Sequence, residues 1–330
     1  MSNVNELKNK NVFFSDFLQK IDNNNFVKEI IDGLSSKQKY IPSKFFYDTR
    51  GAGLFDEITK LDEYYPTRTE KSILKNIAPQ IAGNLTDKDI VELGNGDGSK
   101  MLILLKVVPK DTLKTILYLP IDYSQAYIEK TTDIFTNDFP YLKIHGIIAD
   151  FLSQIDMIPR RSTRLLCFFG STLGNLSSEQ AEKFIISIRA CMKKGDEFLL
   201  GIDMVKDKVV LERAYNDSKQ VTSEFNKNIL RVANKIAGTN FNINDFEHLA
   251  FFNKDESRIE MHLKANKELK ITSPHFSGNI IINKGETIHT ENSHKYTTEY
   301  IKNLAESCNF TVLDVYTDEN KWFSVVHFAV

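Results

Sequence analysis

Between residues 67 and 203, short apolar runs alternate with amphipathic stretches. The apolar runs are "DIVEL", "TILYLPID", "LKIHGIIAD", "RLLCFFG" and "DEFLLGID", and each predicts a β-strand. Helical patterns separate them. The clearest is "SSEQAEKFIISIRACMKKG", which has a serine cap at its start and a glycine stop. An amphipathic run, "TRTEKSILKNIAPQIA", opened by Pro66 and Thr67, precedes the first strand. Strands alternating with helices predict a parallel sheet with helices on both faces.

The alternation breaks near Met204. A long helical segment, "KVVLERAYNDSKQVTSEFNKNILRVANKIAG", leads to the strand-like pieces "HLAFFN" and "RIEMHLKA", joined by a "NKDES" turn. Two more, "KELKITS" and "NIIINKGETIHTE", lead to His294. The sheet pattern then resumes with a helix, "TTEYIKNLAESCN", and the strands "FTVLDVYT" and "WFSVVHFAV". One α/β domain, residues 67–203 and 295–330, is therefore expected to be interrupted. Residues 204–294 should pair with 1–66 as a smaller lobe. That first segment carries an aromatic cluster of Phe45, Phe46, Tyr47, Phe55, Tyr64 and Tyr65.

Composition narrows the function. The chain has 330 residues, 42% hydrophobic and 11% aromatic, enough for a sizeable core. With 42 basic and 44 acidic residues the net charge is -2, so no global field favours nucleic acid or a membrane surface. No segment approaches the roughly 20 apolar residues of a membrane span, and the start lacks a signal-like apolar run. Three widely spaced cysteines, Cys167, Cys191 and Cys308, form neither a disulfide framework nor a zinc pattern. The expectation is a cytoplasmic monomer that handles a small molecule and holds no metal.

The stretch "DIVELGNGDGSK" carries the first chemistry. Gly94, Gly96 and Gly98 follow the strand at every second position, where a backbone without Cβ atoms can approach a ligand closely. A dinucleotide turn reads G-x-G-x-x-G, and here the third glycine comes one residue early. Asp122 ends the next strand, where a carboxylate can accept both ribose hydroxyls. Asp150 ends the third and is followed by Phe151, a pairing suited to an adenine amino group and its ring face. Ligands of such sheets bind at these carboxyl ends. The form E-x-G-x-G-x-G from Glu92 resembles the first motif of Rossmann-type methyltransferases, and together with the acidic strand ends that resemblance implies S-adenosylmethionine. A serine hydrolase is disfavoured because Ser171 directly follows Gly170, whereas the nucleophile elbow reads G-x-S-x-G. The seven histidines are scattered and no H-E-x-x-H or C-x-x-C occurs.

The stretches "KFFYDTRGAGLFDEITKLDEYYPTRTE", "VELGNGDGSK", "FFGSTLGNLS", "FEHLAFFNKDESRIEMHL" and "ETIHTENSHKY" resemble the histidine-specific Nα-methyltransferases of ergothioneine biosynthesis. The resemblance runs from about residue 35 to the end of the chain. It implies a Rossmann-type class I methyltransferase domain with a second, smaller substrate-binding lobe. It implies transfer of up to three methyl groups from S-adenosylmethionine to the α-amino nitrogen of L-histidine, giving hercynine. On the donor side it implies Gly94, Gly96, Lys100, Asp122, Asp150 and Phe151. The histidine carboxylate would meet Asn175 and Tyr215, and the amine would lie near Tyr47 and the backbone of Gly170. The imidazole would be held by Glu291 and Ser293, with Tyr65 nearby and Met261 lining the same pocket. Asp97 and Gly98 stand where family members often carry Ser or Thr, and His289 and His294 receive no role.

A carboxylate facing a ring N–H selects rings able to donate there, because leaving it buried and unpaired costs on the order of 1–3 kcal/mol or more. Methyl transfer from a sulfonium asks for a neutral, aligned amine more than for a strong base, and orientation can supply up to roughly 7–11 kcal/mol. Two alternatives stay open at this point. One is N-methylation of another amino acid, such as a tryptophan derivative, which Glu291 and Met261 argue against. The other is a catalytically silent protein that binds S-adenosylmethionine.

Overall fold

The apolar runs of the central region become the strands of one sheet. The computed structural model describes residues 11–18 and 23–330. Its strands are β1 (Val12–Asp16), β2 (Asp89–Leu93), β3 (Leu117–Asp122), β4 (Lys143–Ile148), β5 (Arg164–Phe168), β6 (Glu197–Asp203), β7 (Phe246–Asn253), β8 (Arg258–Ala265), β9 (Leu269–Ile271), β10 (Ile280–Ile282), β11 (Thr287–His294), β12 (Thr311–Thr317) and β13 (Phe323–Ala329). The main sheet has the order β1-β4-β3-β2-β5-β6-β13-β12. Strands β1 to β6 pair in parallel, and β13 runs antiparallel to both β6 and β12.

Every residue of β2 and β5 is buried, as a sheet covered on both faces requires. Successive side chains alternate between two cores. Val91, Leu119, Leu166 and Phe168 pack with Phe184 and Ile188 on one face. Ile90, Tyr118, Leu165 and Cys167 pack on the other with Ile73, Leu74, Ile77 and Ile81 of the helix Tyr65–Ala82. This is a doubly wound, Rossmann-type sheet. Chain order reverses between β2 and β5, and there the carboxyl ends of the strands leave a crevice for ligands.

The lobe has its own core. The three-stranded antiparallel sheet β11-β8-β7 packs Ile259, Leu263 and Ile288 against Phe225, Ile229 and Ala233 of the helix Val221–Ala237. Ile30, Leu34 and Phe46 from the N-terminal segment join the same cluster. The segment 1–66 is nevertheless not all lobe. Val12–Asp16 extends the main sheet beside β4, because an exposed parallel edge offers a ladder that a five-residue strand can complete. Residues 1–10 lie outside the described part.

Two segments break where their periodicity alone suggested continuity. The long helical stretch divides into Lys208–Tyr215 and Val221–Ala237. The Asp217 carboxylate caps the second piece by accepting from the backbone N–H groups of Val221 and Thr222, each at 2.8 Å. The run "NIIINKGETIHTE" divides into β10 and β11 around Gly285, whose φ is +84°. No helix among the described residues is long and apolar enough to cross a membrane.

The glycine turn constrains the sequence unevenly. Gly98 has φ +70°, and a Cβ there would lie 2.9 Å from both the Phe135 ring and the Thr131 methyl. Gly96 has φ +50° with no atom within 4 Å of the same position. Gly98→Ala should therefore lower stability by about 2–4 kcal/mol, from strain plus overpacking, and Gly96→Ala by about 1 kcal/mol from strain alone. Thermal unfolding of the two variants checks this, and equal losses would contradict it.

Candidate active site

The donor side is assembled at the carboxyl ends of three adjacent strands, β2, β3 and β4. Gly94 has φ +66°, its N–H donates to the Ile121 carbonyl at 2.8 Å, and its bare α-carbon faces the Phe151 ring. A Cβ at Gly94 would stand 3.5 Å from the Phe151 ring, an ordinary contact, so it is the positive φ that favours glycine there. The Gly96 N–H donates to Asp122 Oδ2 at 3.3 Å, and the Ser124 N–H donates to Oδ1 at 2.9 Å. Burial raises the Asp122 carboxyl to about 6, with those backbone donors pulling against the rise. At neutral pH it is an ionised, incompletely satisfied acceptor, the group a pair of vicinal hydroxyls would satisfy.

Asp150 follows β4 and organises its own turn. Its carboxylate accepts from the Leu152 N–H at 3.1 Å and from Ser153 Oγ at 2.9 Å. Phe151 then projects beside Phe168 and Phe184, with ring centroids 5.6 and 5.9 Å away. Glu92, by contrast, does not face the crevice. It is buried under the turn against the Tyr118 hydroxyl, and burial lifts its carboxyl to about 8.

Lys100 joins the donor side to a second site. Its Nζ lies 2.8 Å from Glu70 Oε2, and Glu70 is wholly buried. Both Glu70 oxygens accept the Gly170 N–H, at 2.9 and 3.0 Å. The β5 exit is thereby pinned in an unusual conformation, with φ +84° at Gly170 and +57° at Ser171. Ser171 Oγ accepts the Asp203 N–H at 2.9 Å, which fixes the turn to the end of β6.

Beyond that turn lies a cavity lined by Tyr47, Tyr64, Gly170, Asn175, Asp203, Tyr215, Glu291 and Ser293, with Phe55, Pro66, Ser171 and Thr172. Six residues singled out from the sequence thus converge: Tyr47, Gly170, Asn175, Tyr215, Glu291 and Ser293. Gly174 permits the convergence, since a Cβ there would stand 2.9 Å from the His294 carbonyl of β11. Glu291 and Ser293 point the same way because they are two apart in one strand. The register of β11 slips between His289 and Glu291, at Thr290, whose hydroxyl is held by Asn226 and the Met261 carbonyl. The Nε2–H of His289 donates to the Glu291 carbonyl at 3.1 Å and braces the bulge.

Two expectations need correction. Tyr65 does not face the cavity: it is 1% exposed, and its hydroxyl donates into the Asp203 carboxylate at 2.7 and 2.9 Å. As the first residue of the helix Tyr65–Ala82 it points inward, and its neighbour Tyr64 lines the cavity instead. Met261 is buried in the lobe core, opposite Glu291 across β8 and β11, and is not a lining residue.

Sequence reasoning passed over Glu70, Asp203 and Lys295, and named Tyr64 only as one of an aromatic cluster. For Glu70 a signal existed: it shares the apolar face of its helix with Ile73, Leu74 and Ile77, and a carboxylate on a buried stripe needs a partner. A further cluster, Glu260, His262 and His289, has its donor atoms within 4.8 Å of one another. Glu260 there already accepts from Arg258, Asn253 and His262, so its charge is matched.

The electrostatics separate the cavity's two carboxylates. Burial opposes ionisation of Asp203, but Lys295 and Lys206 outweigh it and hold its carboxyl below the ordinary range. Burial pushes Glu291 up from 4.5 to about 7, offset only in part by Lys295, and its carboxylate has no hydrogen-bond partner among the described residues. Burial raises the phenols of Tyr64 and Tyr215 well above their ordinary value, so both keep their protons. The native protein holds the Glu291 proton more tightly than the unfolded chain does. Its contribution to stability is complete below pH 4.5 and is lost as pH rises through about 7. Glu291→Gln, which cannot ionise, should melt close to the wild type near pH 5 and distinctly above it near pH 8. An offset constant across that range would contradict the titration.

The chain is similar to several known proteins. A histidine N-alpha-methyltransferase of Mycobacterium tuberculosis is 33% identical over 293 residues, covering 88% of this chain and 91% of that one. A histidine N-alpha-methyltransferase of Mycolicibacterium smegmatis is 35% identical over 281 residues, covering 85% and 87%. The ergothioneine biosynthesis protein 1 of Schizosaccharomyces pombe is 28% identical over 295 residues, covering 86% of this chain and 38% of its own length. The model of one family, histidine-specific methyltransferase, SAM-dependent, matches residues 26–330. With a glycine turn and acidic strand ends on one side and a carboxylate-bearing cavity on the other, the chain belongs to that family of S-adenosylmethionine-dependent, histidine-specific methyltransferases.

Proposed function

We propose that this enzyme methylates the α-amino nitrogen of L-histidine, up to three times, to give hercynine. The observation that carries the reading is the convergence of Asn175, Tyr215, Glu291 and Ser293 in one cavity that also contains Tyr47 and Gly170. These are the groups an α-amino acid with a hydrogen-bonding ring requires. Glu291 accepts from one N–H of the protonated ring, and the Ser293 oxygen accepts from the other. Asn175 and Tyr215 donate to the carboxylate, while Tyr47 and the Gly170 carbonyl orient the amine.

S-adenosylmethionine, when bound, supplies an electrophilic methyl group on a sulfonium. The residues suited to hold it are Gly94, Gly96, Asp122, Asp150 and Phe151. The open space at Gly96 and the incompletely satisfied Asp122 carboxylate support that fit. Lys100 stands at the border of the two sites through its contact with Glu70. Asp203 is paired, the phenols retain their protons, and Glu291, the remaining carboxylate of the cavity, is assigned to the ring, so no group is left to act as a strong base toward the amine. The chain therefore works by positioning: it desolvates the amine, aims it at the donor side and keeps it neutral. Tyrosine faces around the amine accommodate the fixed positive charge of the product.

An indole ring has no second nitrogen for Ser293 to bond, which counts against a tryptophan-like substrate. We also place the enzyme in the cytoplasm as a monomer, in keeping with three free cysteines.

Mass spectrometry of protein incubated with S-adenosylmethionine and the twenty amino acids tests the proposal. Histidine should gain up to three methyl groups, and unmodified histidine would overturn the reading. Glu291→Ala should raise KM for histidine by about 10- to 100-fold and leave S-adenosylhomocysteine affinity nearly unchanged. Parallel loss of both would make Glu291 a structural residue.

A further inference from the structure

The cavity wall carries two carboxylates, Asp203 and Glu291, and no lysine or arginine among the described lining residues. A ligand bringing its own carboxylate would meet an adverse field there unless a cation stands close behind the wall. Lys295 stands there. Its side chain is wholly buried, and its Nζ donates to Asp203 Oδ2 at 2.9 Å, Ser293 Oγ at 2.8 Å and the Tyr215 hydroxyl at 3.2 Å. It also lies 5.1 Å from the centroid of the Tyr215 ring. An ammonium has three donors, and all three are taken, so Lys295 cannot touch a ligand itself. Tyr215 does line the cavity.

We propose that Lys295 anchors the substrate's α-carboxylate electrostatically through the Tyr215 hydroxyl, and that this relay makes the enzyme select an amino acid over the corresponding amine. The inference rests on the reading of the cavity as a histidine site. A phenol that accepts from an ammonium is polarised and becomes a stronger donor to a carboxylate. Tyr215 donates to Ser293 at 2.8 Å. Reversing that bond, so that Ser293 donates to Tyr215, frees the phenolic hydrogen for the carboxylate while Lys295 keeps both oxygens in place.

The charges support the relay. Asp203 is paired with Lys206 as well as Lys295, so this buried group holds two cations against one anion. The surplus positive charge lies one hydrogen bond behind Tyr215. An ammonium lining the cavity directly would satisfy a carboxylate too, but it would also repel the amine as that group becomes a permanent cation. Setting the charge behind a phenol concentrates its effect at the carboxylate end. Lys295 is on this argument a positioning and specificity residue, not a catalytic one.

The test compares dissociation constants for histidine and for histamine, which lacks the carboxylate, by calorimetry with S-adenosylhomocysteine present. Lys295→Met should weaken histidine roughly 10- to 100-fold while leaving histamine near its wild-type value. In this variant Asp203 retains Lys206 and Tyr65 as partners, and unchanged S-adenosylhomocysteine binding reports an intact fold. Tyr215→Phe breaks the relay yet leaves the Lys295–Asp203 pair in place. It should show the same selective loss, which tests the Tyr215 contact itself, while Lys295→Gln, which keeps a donor at that position without the charge, should also lose histidine selectively and decides the matter if Lys295→Met does not fold. Equal weakening of both ligands, or no weakening of histidine, in a folded variant overturns the relay alone. Failure of the wild type to bind histidine overturns the functional reading and the relay with it.

Discussion

The ion pair between Asp203 and Lys295 holds the two parts of this molecule in working register. Asp203 ends β6 of the main sheet and Lys295 follows β11 of the lobe, and both are buried. Removing two charges from water is costly, and a buried pair persists only when its remaining donors and acceptors are also satisfied. Here Tyr65 and Lys206 complete Asp203, while Tyr215 and Ser293 complete Lys295. The Asp203 N–H fixes Ser171, and hence the turn carrying Gly170. The acceptor cavity is built outward from this one contact.

A second buried carboxylate plays the matching part between donor and acceptor. Glu70 receives Lys100 from the glycine-turn side and the Gly170 N–H from the cavity side. A backbone held at two successive positive φ angles is strained, and its surroundings must over-determine it. Glu70 supplies that constraint. Methyl transfer depends on aligning two reactants, so fixing the border between their sites through one carboxylate is an economical way to preserve geometry. On the proposed reading the amine needs no strong base, and Glu291, pushed up to about 7 by burial, serves recognition of the ring.

How much of this was legible in the chain varies with the range of the interaction. The glycine turn, the acidic strand ends and the interruption near Met204 are local patterns, and the structure displays them where the patterns lie. The division of the long helical stretch at Asp217 was not legible, because a cap and a mid-helix acid look alike until the chain bends. The β1 strand was hidden for a similar reason: five residues join the sheet only because β4 presents an open edge. Between Tyr64 and Tyr65, adjacent and chemically identical, only the helix start decides which lines the cavity and which bonds Asp203.

The sequence by itself determined the parallel α/β sheet, the donor-binding turn and the residue types of the acceptor site, since these follow from periodicity, backbone freedom and chemistry within short windows. Only the tertiary structure decided which side chains share a cavity, that a bulge at Thr290 sets the register before Glu291, and that Lys295 and Glu70 lie buried behind its walls. Those facts depend on burial and on partners such as Asp203 and Tyr215, distant in the chain. The free energy of a buried charge is set by what surrounds it, and that exists only once the chain has folded.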